Sequence, residues 1–269
     1  MGDDRPIGVF DSGVGGLTVA RAIWELLPNE SILYVGDGAH FPYGPKPVEE
    51  IREHAMGIAR YLVGRGVKLL VVACNSVEVS AIGDIAANGE VPVVGVIAPG
   101  ARAALRASRN GSIGVIGTEA TIRTGAYQRA IGSAAALTAA ACPAFVEFVE
   151  RGDTTSREVR EAAARYLAPL KKEGVDTVIL GCTHYPLLSG MLQLELGPDV
   201  VLVSSAEETA KDVYAALVRA DALRTSSERP HHAFATTGDA DSFRELAELF
   251  LGREVAHVEA AHVDAGARP

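Results

Sequence analysis

Cysteine is scarce in this chain of 269 residues, which contains only three, all far apart in the sequence. An odd number of widely spaced cysteines argues against a disulfide framework, and the absence of a CxxC pair argues against zinc or dithiol redox chemistry of that type. We therefore expect free thiols.

Lysine is also rare, and none of the five lysines ends a predicted strand, so a pyridoxal Schiff base is not indicated. The chain has no Gly-Lys pair, which excludes a Walker phosphate loop. A dinucleotide fingerprint starting at Gly13 would need glycine where Thr18 stands. The sequence therefore indicates no cofactor and no catalytic metal.

Long runs of one charge and long apolar runs are missing as well. The formal net charge is -9, and no basic stretch would form a footprint for a phosphate backbone, so we expect no nucleic-acid partner. No apolar run approaches the ~20 residues of a membrane helix, and the first six residues lack the basic and apolar blocks of a signal peptide. We expect a cytoplasmic protein without membrane association.

Two segments, 66–76 and 174–184, follow the same template. Each runs from a glycine through an apolar stretch to a cysteine, Cys74 or Cys182, and then to polar residues. A β-branched run that ends in small polar residues is typical of a buried parallel strand, and ligands bind beyond the carboxyl ends of such strands. Both thiols are therefore predicted to lie where chemistry takes place.

The repeat extends beyond these strands. Segments 7–13 and 113–119 match and place Ser12 and Thr118 at equivalent positions, and helical periodicity precedes each cysteine strand. Apolar residues make up 48% of the chain, enough to form the core of one large or two modest domains. The pattern predicts an α/β protein: two pseudo-symmetric parallel-sheet α/β domains with the active site in the cleft between them.

The predicted first domain is discontinuous and carries Cys74, and the second carries Cys182. Three further strands are predicted, and the C-terminal tail is predicted to add a strand, a helix and a strand. The first domain is predicted to contain residues 1–97 and 208–269, and the second residues 98–207. The further strands are predicted at 31–35, 91–97 and 200–203, and the hinges between the domains at 98–100 and 204–206. A helix is predicted at 207–220, and the tail spans 234–258 with its helix at 242–251.

Two equivalent thiols suit a reaction that needs an acid and a base on opposite faces of one carbon. A free thiol titrates near ~8.5, so neighbouring groups must tune it. Asp11 at a strand end, His184 two residues beyond Cys182, and Glu150 are the candidates. Cys142 has no counterpart in the first half and is predicted to be a small buried hydrophobic residue.

Four motifs follow one another along the chain. They are Asp11-Ser12-Gly13-Val14-Gly15-Gly16-Leu17, Pro42-Tyr43-Gly44, Ala73-Cys74-Asn75-Ser76 and Leu180-Gly181-Cys182-Thr183-His184-Tyr185-Pro186. Together, in this order, they resemble the motifs of the glutamate racemase family over nearly the whole chain. The resemblance implies cofactor-independent interconversion of L- and D-glutamate, which supplies D-glutamate for peptidoglycan, in two α/β domains with the site between them.

The resemblance also implies roles for individual residues. Cys74 and Cys182 would accept and donate the proton in turn, Asp11 would assist Cys74, and Glu150 with His184 would assist Cys182. The residues implied to bind substrate are Asp11, Ser12, Tyr43, Gly44, Asn75, Ser76, Thr118, Thr121, Thr183 and His184. The sequence departs from the family pattern at Ser76, where threonine is usual, and at Gly38, His40-Phe41 and Glu78. The sequence offers no physical reason for Glu78 at its position.

Other interpretations stay open. The chain could be another two-cysteine racemase, acting on aspartate or a hydantoin, or a non-catalytic two-lobed module that binds an amino acid. Besides glutamate, the resemblance allows two partners: a second copy of the chain in a homodimer, and DNA gyrase. No residue pattern in the sequence indicates a surface for either of them.

Overall fold

The computed structural model describes residues 2–252 and 255–263. The chain forms two compact units: the first contains the residues up to Val96 and those from Ala206 onwards, and the second is Ile97–Ser205. Each unit contains one sheet in which every strand pairing is parallel, which confirms the predicted fold class.

In the first unit, the central strands are buried along their whole length, as expected for parallel strands covered on both faces. The sheet order is β10-β9-β2-β1-β3-β4. The elements are β1 (Ile7–Asp11), α1 (Leu17–Leu26), β2 (Ile32–Gly36), a 3-10 turn (Gly38–His40), α2 (Val48–Gly64), β3 (Leu69–Val72), α3 (Asn75–Ala87), β4 (Val93–Val94), and after the second unit α10 (Ala206–Arg219), β9 (His232–Thr236), α11 (Ala240–Leu251) and β10 (Glu259–Ala260).

In the second unit, the sheet order is β6-β5-β7-β8, and the central strand β7 is buried throughout. The elements are α4 (Ile97–Ala107), β5 (Ser112–Gly117), α5 (Glu119–Arg123), α6 (Ala126–Ile131), β6 (Ala136–Ala141), α7 (Ala144–Glu150), α8 (Arg157–Lys172), β7 (Thr177–Gly181), a 3-10 turn (Tyr185–Leu188), α9 (Ser189–Leu196) and β8 (Val201–Val203).

The two sheets share one strand order. In the first unit β2-β1-β3-β4 stand side by side, and β6-β5-β7-β8 repeat this arrangement in the second. The β1 and β5 strands therefore correspond, as do β3 and β7, each of which is followed by a cysteine. The predicted internal repeat is confirmed at the level of topology, and β9 and β10 are additions to the first unit.

Two local predictions are wrong. The predicted strand 91–97 is reduced to β4, and Ile97 is already the first residue of helix α4. The predicted hinge at 98–100 is also helical. Proline in the first turn of a helix sacrifices no intrahelical hydrogen bond, so Pro99 is compatible with α4 although the sequence pattern indicates a break.

The other predicted elements agree to within a few residues, including α2 and α8 before the cysteine strands and α11 in the tail. The last tail strand lies at Glu259–Ala260, just beyond its predicted end. Across the described residues, no helix combines the length and the apolar character needed to cross a lipid bilayer.

Candidate active site

The first group of candidate residues lies at the carboxyl ends of β1 and β3. These strands are neighbours in register, with Phe10 opposite Val72, so Asp11 and Ser12 lie beside the segment that leads into Cys74. The Cys74 thiol lies 3.7 Å from the hydroxyl oxygen of Ser12 and donates to it. The structure thus brings together Asp11, Ser12 and Cys74, which are about sixty residues apart in the sequence.

The carboxylate of Asp11 is held by the glycine-rich loop that follows it. The Ser12 backbone N–H donates to Oδ1 at 2.8 Å, and the Gly16 N–H donates to Oδ2 at 2.5 Å. A Cβ at Gly16 would lie 2.7 Å from the Asp11 Cβ and 2.9 Å from the Ala73 Cβ. Glycine at this position therefore permits the close approach that fixes the carboxylate.

The thiol of Cys74 is held in its protonated form. Burial raises the pKa of Cys74 well above its ordinary value, and the charge of Asp11 and a hydrogen bond to it act in the same direction, while Val77 and Ser12 oppose the shift. A carboxylate hydrogen-bonded to a thiol is placed to accept its proton. Cys74 and Asp11 therefore form an acid–base pair.

Cys74 is also the N-cap residue of α3, and Asn75 and Ser76 are its first two helical residues, both buried. The N–H groups of a first helical turn have no intrahelical acceptors and favour an anion, so this helix start suits a carboxylate ligand. Glu78, one turn further, accepts a hydrogen bond from the Val96 backbone N–H at 2.5 Å. This contact supplies a structural account of Glu78.

Tyr43 lies close enough to Cys74 and Asp11 for their charges to raise its pKa, with burial as the largest cause and Asp37 next. The phenol therefore stays protonated, and it donates a hydrogen bond to the carboxylate of Asp37. Gly44 follows Tyr43 and is half-buried.

Sequence reasoning missed Asp37 as a site residue. The available signal was its position directly after β2, one residue beyond the Gly36 that pairs with Asp11.

The second group lies at the carboxyl end of β7 in the other unit. The thiol of Cys182 lies 4.0 Å from Nδ1 of His184, and Nε2 of the same ring lies 2.6 Å from Oε1 of Glu150. Glu150 is the last residue of α7. The predicted trio of Cys182, His184 and Glu150 is thus a continuous chain of thiol, imidazole and carboxylate.

The imidazole in this chain is positively charged at neutral pH. Burial lowers the pKa of His184, but its contacts with Cys182 and Glu150 more than offset this effect and raise the pKa from 6.5 to about 10. An imidazolium beside a thiol stabilises the thiolate, as in other reactive cysteine sites. The two thiols therefore have different environments, since Cys74 faces a carboxylate and Cys182 faces a cation.

Cys142 is buried, as predicted, and burial followed by the charge of Cys182 raises its pKa to about 12. Its thiol lies 3.7 Å from the carbonyl oxygen of Ala140. The hydroxyl of Tyr185 donates to the Cys142 carbonyl oxygen at 2.8 Å. Cys142 is therefore a packed residue next to the second group.

The three predicted threonines of the second unit are buried. Thr118 follows β5 and caps α5, because its hydroxyl oxygen accepts from the Thr121 backbone N–H at 3.2 Å and lies 3.0 Å from the Thr121 hydroxyl. Gly117 pairs in register with Gly181, so Thr118 follows one strand end and Cys182 the neighbouring one. Thr183 continues the same segment.

The chain is similar to known proteins over most of its length. The Asp/Glu/Hydantoin racemase family model matches residues 7–213. Glutamate racemase of Corynebacterium diphtheriae is 52% identical, over 96% of this chain and 98% of that protein.

Two solved structures are similar over nearly the full length. The glutamate racemase isoform RacE1 from Bacillus anthracis has a TM-score of 0.89 and 42% identity, covering 97% of each chain. Glutamate racemase from Francisella tularensis, solved in complex with D-glutamate, has a TM-score of 0.91 and 33% identity, covering 98% of this chain and all of that one. The chain therefore belongs to the Asp/Glu/Hydantoin racemase family.

Proposed function

We propose that the chain interconverts L- and D-glutamate by moving the Cα proton between the thiols of Cys74 and Cys182, without a cofactor. One observation carries this proposal. In each unit a cysteine follows an equivalent buried strand and contacts an ionisable side chain, Asp11 in the case of Cys74 and His184 in the case of Cys182. The relatives named glutamate racemase and the relative solved with D-glutamate support glutamate as the substrate.

In the proposed reaction, one cysteine acts as the base. Its thiolate takes the proton from Cα, so that a C–H bond breaks and an S–H bond forms, while the other thiol donates a proton to the opposite face of the same carbon. The configuration is inverted and no atom is gained or lost. Asp11 and the His184–Glu150 pair then return the two thiols to their starting protonation states.

The two environments suggest the starting state. Cys74 holds its proton because burial and Asp11 raise its pKa, whereas Cys182 has an imidazolium beside it. We propose that Cys182 is the base in this state and Cys74 the acid, and that the roles are exchanged for the other enantiomer. Proton transfer by a positioned side chain contributes about 10²- to 10⁴-fold to a rate.

The remaining residues are proposed to hold the substrate. Asn75, Ser76 and Thr183 would bind the α-carboxylate and the ammonium group, and Ser12, Tyr43 and Gly44 would bind the side-chain carboxylate. Thr118 and Thr121 are proposed to complete the substrate-binding set. We further propose that the product, D-glutamate, is used for peptidoglycan synthesis in the cytoplasm.

The test is incubation of the protein with L-glutamate in D₂O, with no cofactor added. A two-thiol mechanism gives D-glutamate with deuterium at Cα, while L-glutamate recovered early in the reaction carries little deuterium. Cys74→Ala and Cys182→Ala should each lose racemisation, and Cys142→Ala, the matched control, should retain it. Full activity in either of the first two variants would contradict the mechanism.

The same assay, run on a panel of amino acids and hydantoins, tests the substrate. Turnover of aspartate or a hydantoin without turnover of glutamate would overturn the choice of substrate and leave the reaction type intact. Binding of glutamate without any exchange at Cα would instead indicate a non-catalytic binding module.

A further inference from the structure

A second cluster of ionisable side chains lies in the first unit, outside the thiol sites. Asp37, His40 and His54 each place a candidate metal-ligand atom so that all three atoms lie within 4.8 Å of one another. Asp37 precedes the 3-10 turn at 38–40, His40 is the last residue of that turn, and His54 comes from α2. We propose that this cluster, the His-His-Asp site, binds a divalent ion of the zinc type.

The donor set selects the class of metal. Two imidazole nitrogens and one carboxylate oxygen suit Zn²⁺ and its borderline neighbours, whereas Mg²⁺ and Ca²⁺ prefer oxygen ligands alone. Zinc sites with three protein ligands leave a fourth position for water or another group. The sequence pattern did not reveal this set, because one ligand comes from a helix that starts after the turn.

An unsatisfied buried atom indicates a ligand at this place. Nδ1 of His54 is buried and has no hydrogen-bond partner within the described part of the chain. A buried polar atom without a partner costs about 1–3 kcal/mol, so a metal that accepts its lone pair would remove this cost. The other ring nitrogen, Nε2, lies 3.6 Å from Oε1 of Glu50.

Space is available at the same position. Asp37, His40 and His54 line a small cavity of about 10 Å³ together with Glu53, Gly57, Ile58 and Val263. This volume is about that needed for one water molecule, so it suits a single ion and no larger ligand. The cavity thus lies against all three proposed ligands, and the carboxylate of Glu53 adds negative charge to its wall.

The ligand positions require one adjustment. Ligand atoms about 2.0–2.2 Å from a zinc ion lie about 3.5 Å from one another. The candidate ligand atoms here are up to 4.8 Å apart, so they would have to move closer together. The His40 and His54 rings are stacked, with centroids 3.8 Å apart. Nδ1 of His40 lies 2.9 Å and 3.0 Å from the two carboxylate oxygens of Asp37, so an ion between the two side chains would replace this contact. The His40 side chain is 40% exposed, and a half-exposed ring can turn to present a nitrogen to the ion.

The carboxylate already has the outer contacts typical of a metal ligand. The hydroxyls of Tyr43 and Thr237 both donate to Asp37, the latter at 2.5 Å. Such contacts orient the side chains that touch a metal and raise the affinity for it. Because Asp37 holds Tyr43, an ion here would act on the proposed substrate-binding loop, a consequence that rests on the proposed function.

Zn²⁺ titration by calorimetry and Co²⁺ absorption spectroscopy on the full-length protein test the proposal. We expect one equivalent of Zn²⁺ that Mg²⁺ does not displace, and a Co²⁺ spectrum of nitrogen and oxygen ligation without a thiolate-to-metal charge-transfer band. His54→Gln and His40→Gln should each weaken Zn²⁺ binding at least about 100-fold, because loss of an outer-shell contact alone costs 10- to 100-fold.

The matched control is His231→Gln, since His231 is an exposed histidine of the same unit and should leave binding unchanged. His40→Gln changes a half-exposed side chain, so it keeps the test valid even if His54→Gln does not fold. Absence of binding, a Co²⁺ spectrum dominated by thiolate ligation, or equal Zn²⁺ affinity in both variants and the wild-type protein would overturn the proposal.

Discussion

His184 and Glu150 form an ion pair, with Nε2 of His184 2.6 Å from Oε1 of Glu150, although they are 34 residues apart in the sequence. The other ring nitrogen faces the Cys182 thiol. The imidazole therefore links a reactive sulfur to a carboxylate at the end of α7. We therefore expect Glu150 to be a positioning residue that acts on Cys182 through His184.

Glu150→Gln should reduce kcat by about 10- to 100-fold, because a hydrogen bond to a charged group contributes about 1.5–3 kcal/mol. The glutamine keeps the shape but removes the charge that raises the His184 pKa. The alkaline limb of the kcat–pH profile should therefore move to lower pH. A profile that keeps its shape while the rate falls would show that Glu150 has only a packing role.

Stability should also depend on pH through His184. Its pKa is raised from 6.5 to about 10 in the folded chain, so the protonated form stabilises the fold. This contribution is complete below about pH 6.5 and is lost as pH rises towards 10. Thermal unfolding of the wild-type protein and of His184→Gln, measured across this range, should show a steeper fall in Tm for the wild type. Parallel curves would contradict the assignment.

Gly16→Ala should lower kcat by about 100-fold, since a displacement of about 1 Å in a catalytic group costs that much. The added Cβ would lie within 3 Å of the Cβ atoms of Asp11 and Ala73, so it would push the Asp11 carboxylate away from Cys74. Gly83→Ala is the matched control. Gly83 lies inside α3 with no atom near its missing Cβ, and alanine there should stabilise the fold by roughly 0.5–1 kcal/mol. Equal kcat in Gly16→Ala and wild type would contradict this role of Gly16.

Glu78 and Gly95 should be energetically coupled. Glu78→Ala removes the acceptor of the buried Val96 N–H and should destabilise the fold by about 1–3 kcal/mol. Gly95→Ala should also destabilise it, because the new Cβ would lie 2.5 Å from the Glu78 carboxylate. In the double variant that clash is absent, so the two effects should be less than additive in chemical denaturation. Simple additivity would rule out this contact as the cause, and Glu78→Gln, which retains an acceptor oxygen, should be milder than Glu78→Ala.

Sequence reasoning found the strand ends reliably because the signals there are local. The apolar run before Cys182 predicts a buried strand from its own residues, and the structure has β7 there. The predicted hinge at 98–100 was wrong for a related reason. Proline and glycine usually interrupt regular structure, but Pro99 occupies the first turn of α4, where its missing N–H has no cost.

Asp37 shows what local reasoning could not reach. Its carboxylate accepts from the hydroxyl of Thr237, 200 residues further along the chain, because β9 lies beside β2 in the sheet. Nothing in segment 37–44 indicates that partner.

The sequence by itself determined the two equivalent parallel-sheet units and the placement of a cysteine at one strand end in each, because periodicity and strand termination depend on residues close together in the chain. Only the tertiary structure decided which of the candidate side chains lie beside those thiols. Glu150 reaches His184, and Asp37 meets Thr237, because folding brings distant segments side by side, and such neighbours depend on packing over the whole unit rather than on the residues around each one.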